Sequence, residues 1–485
     1  MASDDSVTIT VKDPPPPSAP ATLENTADSS KEDEAGISQP SDTAQEKNPQ
    51  IREPFPKARD HQKKIQARLT EKPCIYRVPH RLREVNKRAY EPNVISIGPY
   101  HHGQERLEVM EAIKHSCYLT IFELNKSVSE KIESTMKNLE AQVRECYEEP
   151  SGLNLNSTEF VEMMVYDGCF IVFLILGYAD EDIFKERGIL PEIEDDLLLL
   201  ENQLPFFVLS ELYRIIAPEE GVHQLAHHAL EYFRDDYSFE LFDDLVRGKD
   251  FKHLLDLVHS CYNPSVQGIT QHKNFKEKAT SESTSQHWMK FISCATELDD
   301  AGIDFFGAAL KKMKDPKQGI ETRFDIMFTK DTKVLKIPTL RVQDSTERWL
   351  RNYIAYEQFI PSDKPTYFSD YVLFMDNLIN TSKDVRLLRT SGIIDNWLGD
   401  DKAVARMFNG LLDSVWSSKD FYYAEIFERV DEHCQKRWNR WKAALKKNYF
   451  NSPWSHISFL AATLLLLLTM VQTIFSLLSY FEQQK

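Results

Sequence analysis

The chain has 485 residues, a formal net charge of −17 and a hydrophobic fraction of 42 %. A chain of this length can bury one large core or two moderate ones, and its acidic balance argues against a general nucleic-acid-binding role. Seven cysteines are scattered without a Cys-x-x-Cys pair, which argues against a disulfide framework and favours reduced thiols facing the cytosol. The first residues lack the basic-then-apolar pattern of a signal peptide.

The N-terminal segment divides into an acidic part and a basic part. Residues 1–50 are rich in Ser, Pro, Asp and Glu and poor in large apolar residues, which predicts a disordered tail. Residues 51–73 carry a basic stretch from Arg52 to Lys72, which we interpret as a lead-in helix with a solvated face. Contact of this stretch with anionic lipid is the alternative.

Residues 74–262 predict a first helical half. Asn93–Gly103 is expected to form a strand and a turn, because Gly98-Pro99 breaks any helix. Apolar residues then recur every three or four positions from Leu107 to Val143, which predicts one long amphipathic helix. Phe160–Tyr178 contains an apolar run that is too short to cross a bilayer, so we expect a core helix there.

The stretch Asp195–Tyr213 is the most informative part of this half. Apolar residues crowd both sides of Glu201-Asn202-Gln203, so the segment is expected to be buried nearly all round. Asp195-Asp196 and Glu201 could be paired acid/base carboxylates, but such residues more often cap a helix or satisfy backbone donors. Glu201-Asn202-Gln203 is therefore interpreted as a buried hydrogen-bonded knot that holds the fold. A helix is expected to begin at about Pro205. These residues form the predicted structural motif: Asp195, Glu201, Asn202, Gln203 and Pro205.

Residues 263–286 are polar and lack periodicity, which predicts a flexible surface loop between two halves. Residues 287–452 predict the second helical half, which starts with a helix over Trp288–Lys314. Alternating apolar residues at 324–328 and 335–337 predict a small β-hairpin. Pro338 marks its second strand as an edge strand.

The segment Ile457–Phe481 has no charged residue and contains five leucines from Leu464 to Leu468. It predicts a transmembrane helix over 457–481, with a buried helix of the globular body as the alternative. Cations up to Lys447 precede it, so the positive-inside rule places the body in the cytosol. The expected topology is a single-pass C-terminal anchor in lipid, in the plasma membrane or an endomembrane. Gln472 is polar in mid-span and suggests pairing of helices, hence a homo-oligomer.

The search for catalytic chemistry gives little. His223 and His227 lie one helical turn apart, as in zinc proteases, but Gln224 replaces the general base that such enzymes need. Ordinary helix histidines are favoured over a structural metal site. A phosphate loop, a nucleophile elbow, a dinucleotide fingerprint and a kinase signature are all missing from the sequence. We therefore predict no catalytic residue, no cofactor, no metal and no nucleic-acid partner. The predicted fold class is mainly α, a multi-helix globular body in two halves with a small β-hairpin, plus one C-terminal transmembrane helix.

Several stretches together resemble a plant family of uncharacterised membrane proteins, domain of unknown function number 247 of the UPF0481 type. They are Tyr76–Pro79, Ile97–Gly103, Met164–Phe170, Asp195–Leu209, Asn352–Gln358 and Pro453-Trp454. The resemblance implies a mostly helical body with a membrane anchor and no established catalytic activity. Some grass members are implicated in pollen self-incompatibility, which implies recognition of a partner protein.

Three functions therefore stay open. The first is a membrane-anchored recognition or signalling protein that binds other proteins. The second is an enzyme of unfamiliar type with a pocket between the two helical halves. The third is a structural protein of membrane contact sites.

Overall fold

The structure is a computed structural model that describes residues 73–148, 154–178, 188–221, 223–233, 249–281, 291–309, 322–361, 364–416, 420–435 and 453–483. The expectations for the acidic tail and the basic lead-in helix fall on residues before 73 and lie outside this part of the chain. All described residues belong to one compact unit, residues 65–485.

The first part of the chain is helical, with short 3₁₀ turns at Lys87–Tyr90 and Glu105–Leu107. Its helices are α1 (His80–Val85), α2 (Glu108–Leu124), α3 (Lys126–Glu145), α4 (Ser157–Ile175), α5 (Leu190–Leu197), α6 (Phe206–Ile216), α7 (His223–Tyr232) and α8 (Leu254–Cys261).

The second part mixes helices with short strands. Its elements are α9 (Val266–Ser281), α10 (Ala295–Asp300), β1 (Asp304–Ala308), β2 (Met327–Thr329), β3 (Val334–Pro338), β4 (Leu340–Val342), α11 (Thr346–Glu357), α12 (Tyr367–Leu378), α13 (Ser382–Thr390), β5 (Ile394–Asn396), α14 (Asp401–Leu411), α15 (Ala424–Gln435) and α16 (Pro453–Gln483). The described body is therefore mainly α with small sheets, as the first part of the predicted fold class states.

The long helix expected from Leu107 to Val143 is two helices, α2 and α3, that meet at Asn125. The Asn125 side chain accepts a hydrogen bond from the Ser127 amide and so caps α3. The apolar spacing continues across the break, which is why periodicity alone predicted a single helix.

Helix α4 is the core helix that the sequence predicts. It begins with a capping box between Asn156 and Glu159, and nearly every residue from Phe160 onward is buried. It packs against α2, α3 and α6, so its apolar residues face neighbours on all sides.

The flexible loop expected over 263–286 is wrong in its centre, where helix α9 stands. Asp325 anchors the start of this helix, because its Oδ1 accepts from both the amide and the hydroxyl of Ser265. The Ser265 hydroxyl oxygen accepts in turn from the Gly268 amide, as a cap residue does. Asp325 is 60 residues away in sequence, so local periodicity could not reveal this contact.

The predicted β-hairpin is confirmed, since β2 and β3 pair antiparallel with Phe328 beside Leu335. The expected helix over Trp288–Lys314 is wrong, however. Helix α10 ends at Asp300. Gly302 follows with φ of +84°, the Ile303 amide donates back to the Leu298 carbonyl oxygen, and the chain continues as strand β1.

Strand β1 pairs in parallel with β3, so the sheet order is β1-β3-β2 and β3 is its central strand. The expectation that Pro338 marks an edge strand is therefore wrong. Pro338 is the last residue of β3, and the next amide, of Thr339, donates to Ala308. A proline at the end of a strand interrupts little of the ladder. Strands β4 and β5 form a second, parallel pair.

The expected membrane anchor is also wrong. Among the described residues, no helix has both the length and the apolar character that a bilayer crossing requires. The residues assigned to the expected span, Ile457, Leu464, Leu468, Gln472 and Phe481, lie in helix α16. The expected single-pass topology and membrane localisation are corrected with it.

Candidate functional site

Asn93–Gly103 was expected to form a strand and a turn; turns are present within 99–103, but residues 93–98 have no partner strand. The amides of this segment donate to side chains instead. The carboxylate of Asp196, at the end of α5, accepts from Asn93, Val94 and Ile95 at 2.7–2.9 Å. The Ile97 amide donates to Asn202 Oδ1 at 2.7 Å. The side chains of Asp196 and Asn202 therefore take the place of a neighbouring strand, and of these two only Asn202 belongs to the predicted motif.

Asn202 uses all of its polar atoms. Besides accepting from Ile97, its Nδ2 donates to the Ile95 and Asp196 carbonyl oxygens at 3.0 and 2.9 Å. Only 1 % of the residue is exposed. Every one of these contacts is buried, so water cannot replace any partner that is lost.

Gln203 closes the loop that carries it. Its Nε2 donates to the Leu197 and Leu199 carbonyl oxygens at 2.7 and 2.8 Å, while its Oε1 accepts from the Leu255 amide. Pro205 then stands at the N-cap position of α6, whose first residue is Phe206. The Gln203 side chain therefore stabilises the turn between α5 and α6 through hydrogen bonds within the turn and to α8.

Two residues of α11 connect this knot to the second part of the chain. Arg348 Nη2 lies 2.5 Å from Asp196 Oδ1 and 2.6 Å from the Glu91 carbonyl oxygen. Asn352 Oδ1 accepts from the Leu200 amide, and its Nδ2 donates to the Ala89 carbonyl oxygen. The two sequence halves therefore share one buried polar centre.

Glu201 binds three different segments. Its Oε1 accepts from the Val78 amide at 2.7 Å, and its Oε2 contacts Arg83 and lies 3.4 Å from His101 Nε2. Burial raises the pKa of Glu201, but the hydrogen bonds from His101 and Arg83 outweigh burial, so the pKa lies below its usual value. Glu201 is therefore a buried anion that fixes the turn containing His101.

A second buried charged group lies beneath the same extended segment. Lys114 of α2 has no exposed surface, and its Nζ lies 2.5 Å from Asp167 Oδ1 and 2.5 Å from Glu111 Oε1. It also donates to the Ser96 carbonyl oxygen, while Asp167 accepts from the Gly98 amide. Burial raises the pKa of Asp167, and the Lys114 ammonium opposes that rise.

The alternative interpretation of Asp195, Asp196 and Glu201 as paired acid/base carboxylates is not supported by these roles. Asp195 is half-buried, and burial raises its pKa to about 6, with the Arg348 charge opposing. Glu201 is committed to Val78, Arg83 and His101. Glu201, Asn202 and Gln203 form a structural knot, because their side chains make hydrogen bonds to buried backbone groups.

The described residues also line surface cavities. One, of about 330 Å³, lies between α9 and α15 and includes His272, Asp325 and Tyr422. Others lie along α3 and α4, between α13 and α14, and near Cys294. None of these four cavities has lining residues from both 74–262 and 287–452. None of them is therefore the pocket expected between the two halves.

The histidine cluster of α7 differs from the pair considered in the sequence. The described side chains that converge are His227, His228 and Glu231, whose ligand atoms all lie within 4.8 Å of one another. Glu220, in the turn before α7, lies 3.1 Å from His228 Nε2. The signal for this cluster in the sequence is the spacing of Glu231 by four residues from His227 and by three from His228.

The two adjoining sheets expose large side chains. Phe306 of β1 and Met327 of β2 flank Lys336 of β3 in one cross-strand row, and they are 54 % and 45 % exposed. Next to β5, Trp397 is 63 % exposed, with the Arg341 guanidinium 4.7 Å from the centre of its ring. We call these five residues the aromatic surface.

Comparison with known proteins decides the family. The sequence profile of DUF247, described as plant protein of unknown function, matches residues 75–468. The chain belongs to this family. It is 31 % identical over 435 residues to UPF0481 protein At3g47200 of Arabidopsis thaliana, an alignment that covers 85 % of this chain and 88 % of the relative. It is 25 % identical over 486 residues to putative UPF0481 protein At3g02645 of the same plant, with 83 % and 90 % covered.

The DUF247 assignment confirms the resemblance read from the sequence. The matched region begins at Ile75, the first fully buried core residue, and it includes every residue of the knot. No solved structure matches the chain significantly. The family description assigns no activity, so any function rests on the chemistry of the described residues.

Proposed function

We propose that this chain acts by binding a partner protein, and that the aromatic surface is its docking site. The observation that carries the proposal is the cross-strand row in which the exposed Phe306 and Met327 flank the half-buried Lys336. Exposed aromatic and methionine side chains beside Arg are the composition of protein–protein contact centres.

The chemistry of the surface indicates an acidic, apolar segment as the occupant. The Lys336 ammonium lies 5.8 Å from the centre of the Phe306 ring, and the Arg341 guanidinium lies over Trp397. A partner's apolar side chains would cover the rings, while its carboxylates would meet the two cations. The 3.4 Å pair of Arg341 with Asp395 is about half exposed, so exchanging it for a partner carboxylate costs little.

The buried charged groups support binding rather than catalysis. The carboxylates of Asp196, Glu201 and Asp167 accept hydrogen bonds from backbone amides of other segments. Their role is therefore structural. Self-recognition of the kind that the resemblance implies for some grass relatives would be one form of such partner binding.

The test is selection of peptides from a random displayed library on the purified full chain. We expect the enriched peptides to combine aromatic or aliphatic residues with Asp and Glu. Phe306→Ala and Trp397→Ala should each weaken the best peptide by about tenfold or more in fluorescence anisotropy, which is the effect of removing a binding anchor.

Trp416→Ala is the matched control, because Trp416 is 77 % exposed and also has a cation, Arg81, over its ring. This variant should bind the peptide as the wild type does. The proposal is wrong if the selected peptides are basic, or if the Phe306→Ala/Trp397→Ala double variant keeps wild-type affinity.

A further inference from the structure

Helix α7 gathers three metal-ligating side chains that the docking surface does not use. His227 and Glu231 are four residues apart, and His228 and Glu231 are three apart, so both histidines lie close to the same carboxylate. Their ligand atoms lie within 4.8 Å of one another. In a tetrahedral zinc site the ligand atoms are about 3.3 Å apart, so side-chain rotations bring them into place.

We propose that His227, His228 and Glu231 form a zinc site on the surface of α7. Two imidazoles and one carboxylate are a ligand set that suits Zn²⁺ and other borderline divalent metals better than Mg²⁺ or Ca²⁺. Three ligands from one helix, with Glu231 exposed, leave the fourth position of zinc open to water or to an outside ligand.

A second observation, independent of the cluster, supports the site. Glu220 Oε2 lies 3.1 Å from His228 Nε2 and also accepts from the hydroxyl group of Tyr213, a buried residue of α6. A proton on His228 Nε2 leaves the lone pair of Nδ1 for the metal. A carboxylate that orients a ligating histidine in this way is a recurrent part of zinc sites.

The experiment uses the full chain after treatment with chelator, in reducing buffer, with Zn²⁺ or Co²⁺ as the only added metal. We expect calorimetry to show one Zn²⁺ bound per chain by the cluster. The Co²⁺ form should show d–d absorption bands without a thiolate charge-transfer band, because the ligands are nitrogen and oxygen.

Variants separate ligands from the orienting residue. His227→Gln and Glu231→Gln should each weaken Zn²⁺ binding by at least about 100-fold, and Glu220→Gln by about 10–100-fold. Glu231 is exposed, so its variant keeps the fold, and far-UV circular dichroism checks this. His80→Gln is the matched control, since His80 and Glu84 form an ordinary exposed pair at 3.5 Å, and it should leave binding unchanged.

Two results would overturn the site. One is the absence of Zn²⁺ binding by the wild-type chain. The other is binding that Glu231→Gln and His227→Gln leave unchanged, or that carries a cobalt–thiolate band, because the metal would then be held by cysteines elsewhere.

Discussion

Asn202→Ala removes a side chain that makes three buried hydrogen bonds in the knot. The Ile97 amide then loses its acceptor and the Ile95 carbonyl oxygen loses its donor, whereas the Asp196 carbonyl oxygen keeps the Leu199 amide as a donor. A buried group left without a partner costs about 1–3 kcal/mol, and the amide lies at the upper end because it has no second acceptor. The two groups together give a loss of about 3–5 kcal/mol of unfolding free energy.

The assay combines urea unfolding, followed by circular dichroism, with hydrogen exchange measured by mass spectrometry. The variant should unfold at a lower urea concentration, and a peptide covering 93–98 should exchange faster than in the wild type. Asn409→Ala is the control, because Asn409 is exposed and its single amide contact, to Asn380, lies at the surface. The reasoning fails if Asn202→Ala matches wild type in both measurements.

Three further substitutions test other parts of the structure. Gly98→Ala should destabilise by more than about 2 kcal/mol, because its φ is +70° and a Cβ would lie 2.6 Å from the Gln203 carbonyl oxygen. Gly103→Ala, with φ +76° and open space, should cost only about 1 kcal/mol, and equal melting of the two variants would contradict the steric argument. Lys114→Met should lower the unfolding free energy measured in urea by about 3–5 kcal/mol, because it leaves the carboxylates of Asp167 and Glu111 without their cation. Wild-type stability of this variant would show that these carboxyl groups are neutral. Burial lowers the pKa of His253 from 6.5 to about 4. Between these two pH values the folded state therefore binds fewer protons than the unfolded state. Up to about 3 kcal/mol of the unfolding free energy present above pH 6.5 is lost as the pH falls from 6.5 to 4. His253→Asn should remove this loss, and parallel pH profiles of the two proteins would refute it.

Much of the local architecture could be predicted from the sequence. Alternation at 324–328 and 335–337 gave the hairpin, and an apolar run too short for a bilayer gave α4. The strand β1 and the helix α9, which the sequence did not predict, depend on distant partners. Strand β1 exists because β3 lies beside it, and α9 is anchored by Asp325. Pairing in parallel across about thirty residues leaves no local pattern for periodicity to detect.

The knot could be located from the sequence, but its partners could not. Glu201-Asn202-Gln203 stood out because polar residues interrupt apolar runs. Arg348 and Asn352 contact it from more than 150 residues away. Lys114 and Asp167 left a detectable signal, since each is a charged residue within an apolar helical pattern, and such a residue is buried only with a partner.

The large sequence separation between Arg348 and its partner Asp196 has a consequence for synthesis on the ribosome. Asp196 emerges 152 residues ahead of Arg348, which at about 5–20 residues per second means a wait of roughly 8–30 seconds. During that interval the carboxylate and the Leu200 amide lack the partners that α11 later brings. A nascent chain stalled before α11 is therefore a client for chaperones rather than a finished domain.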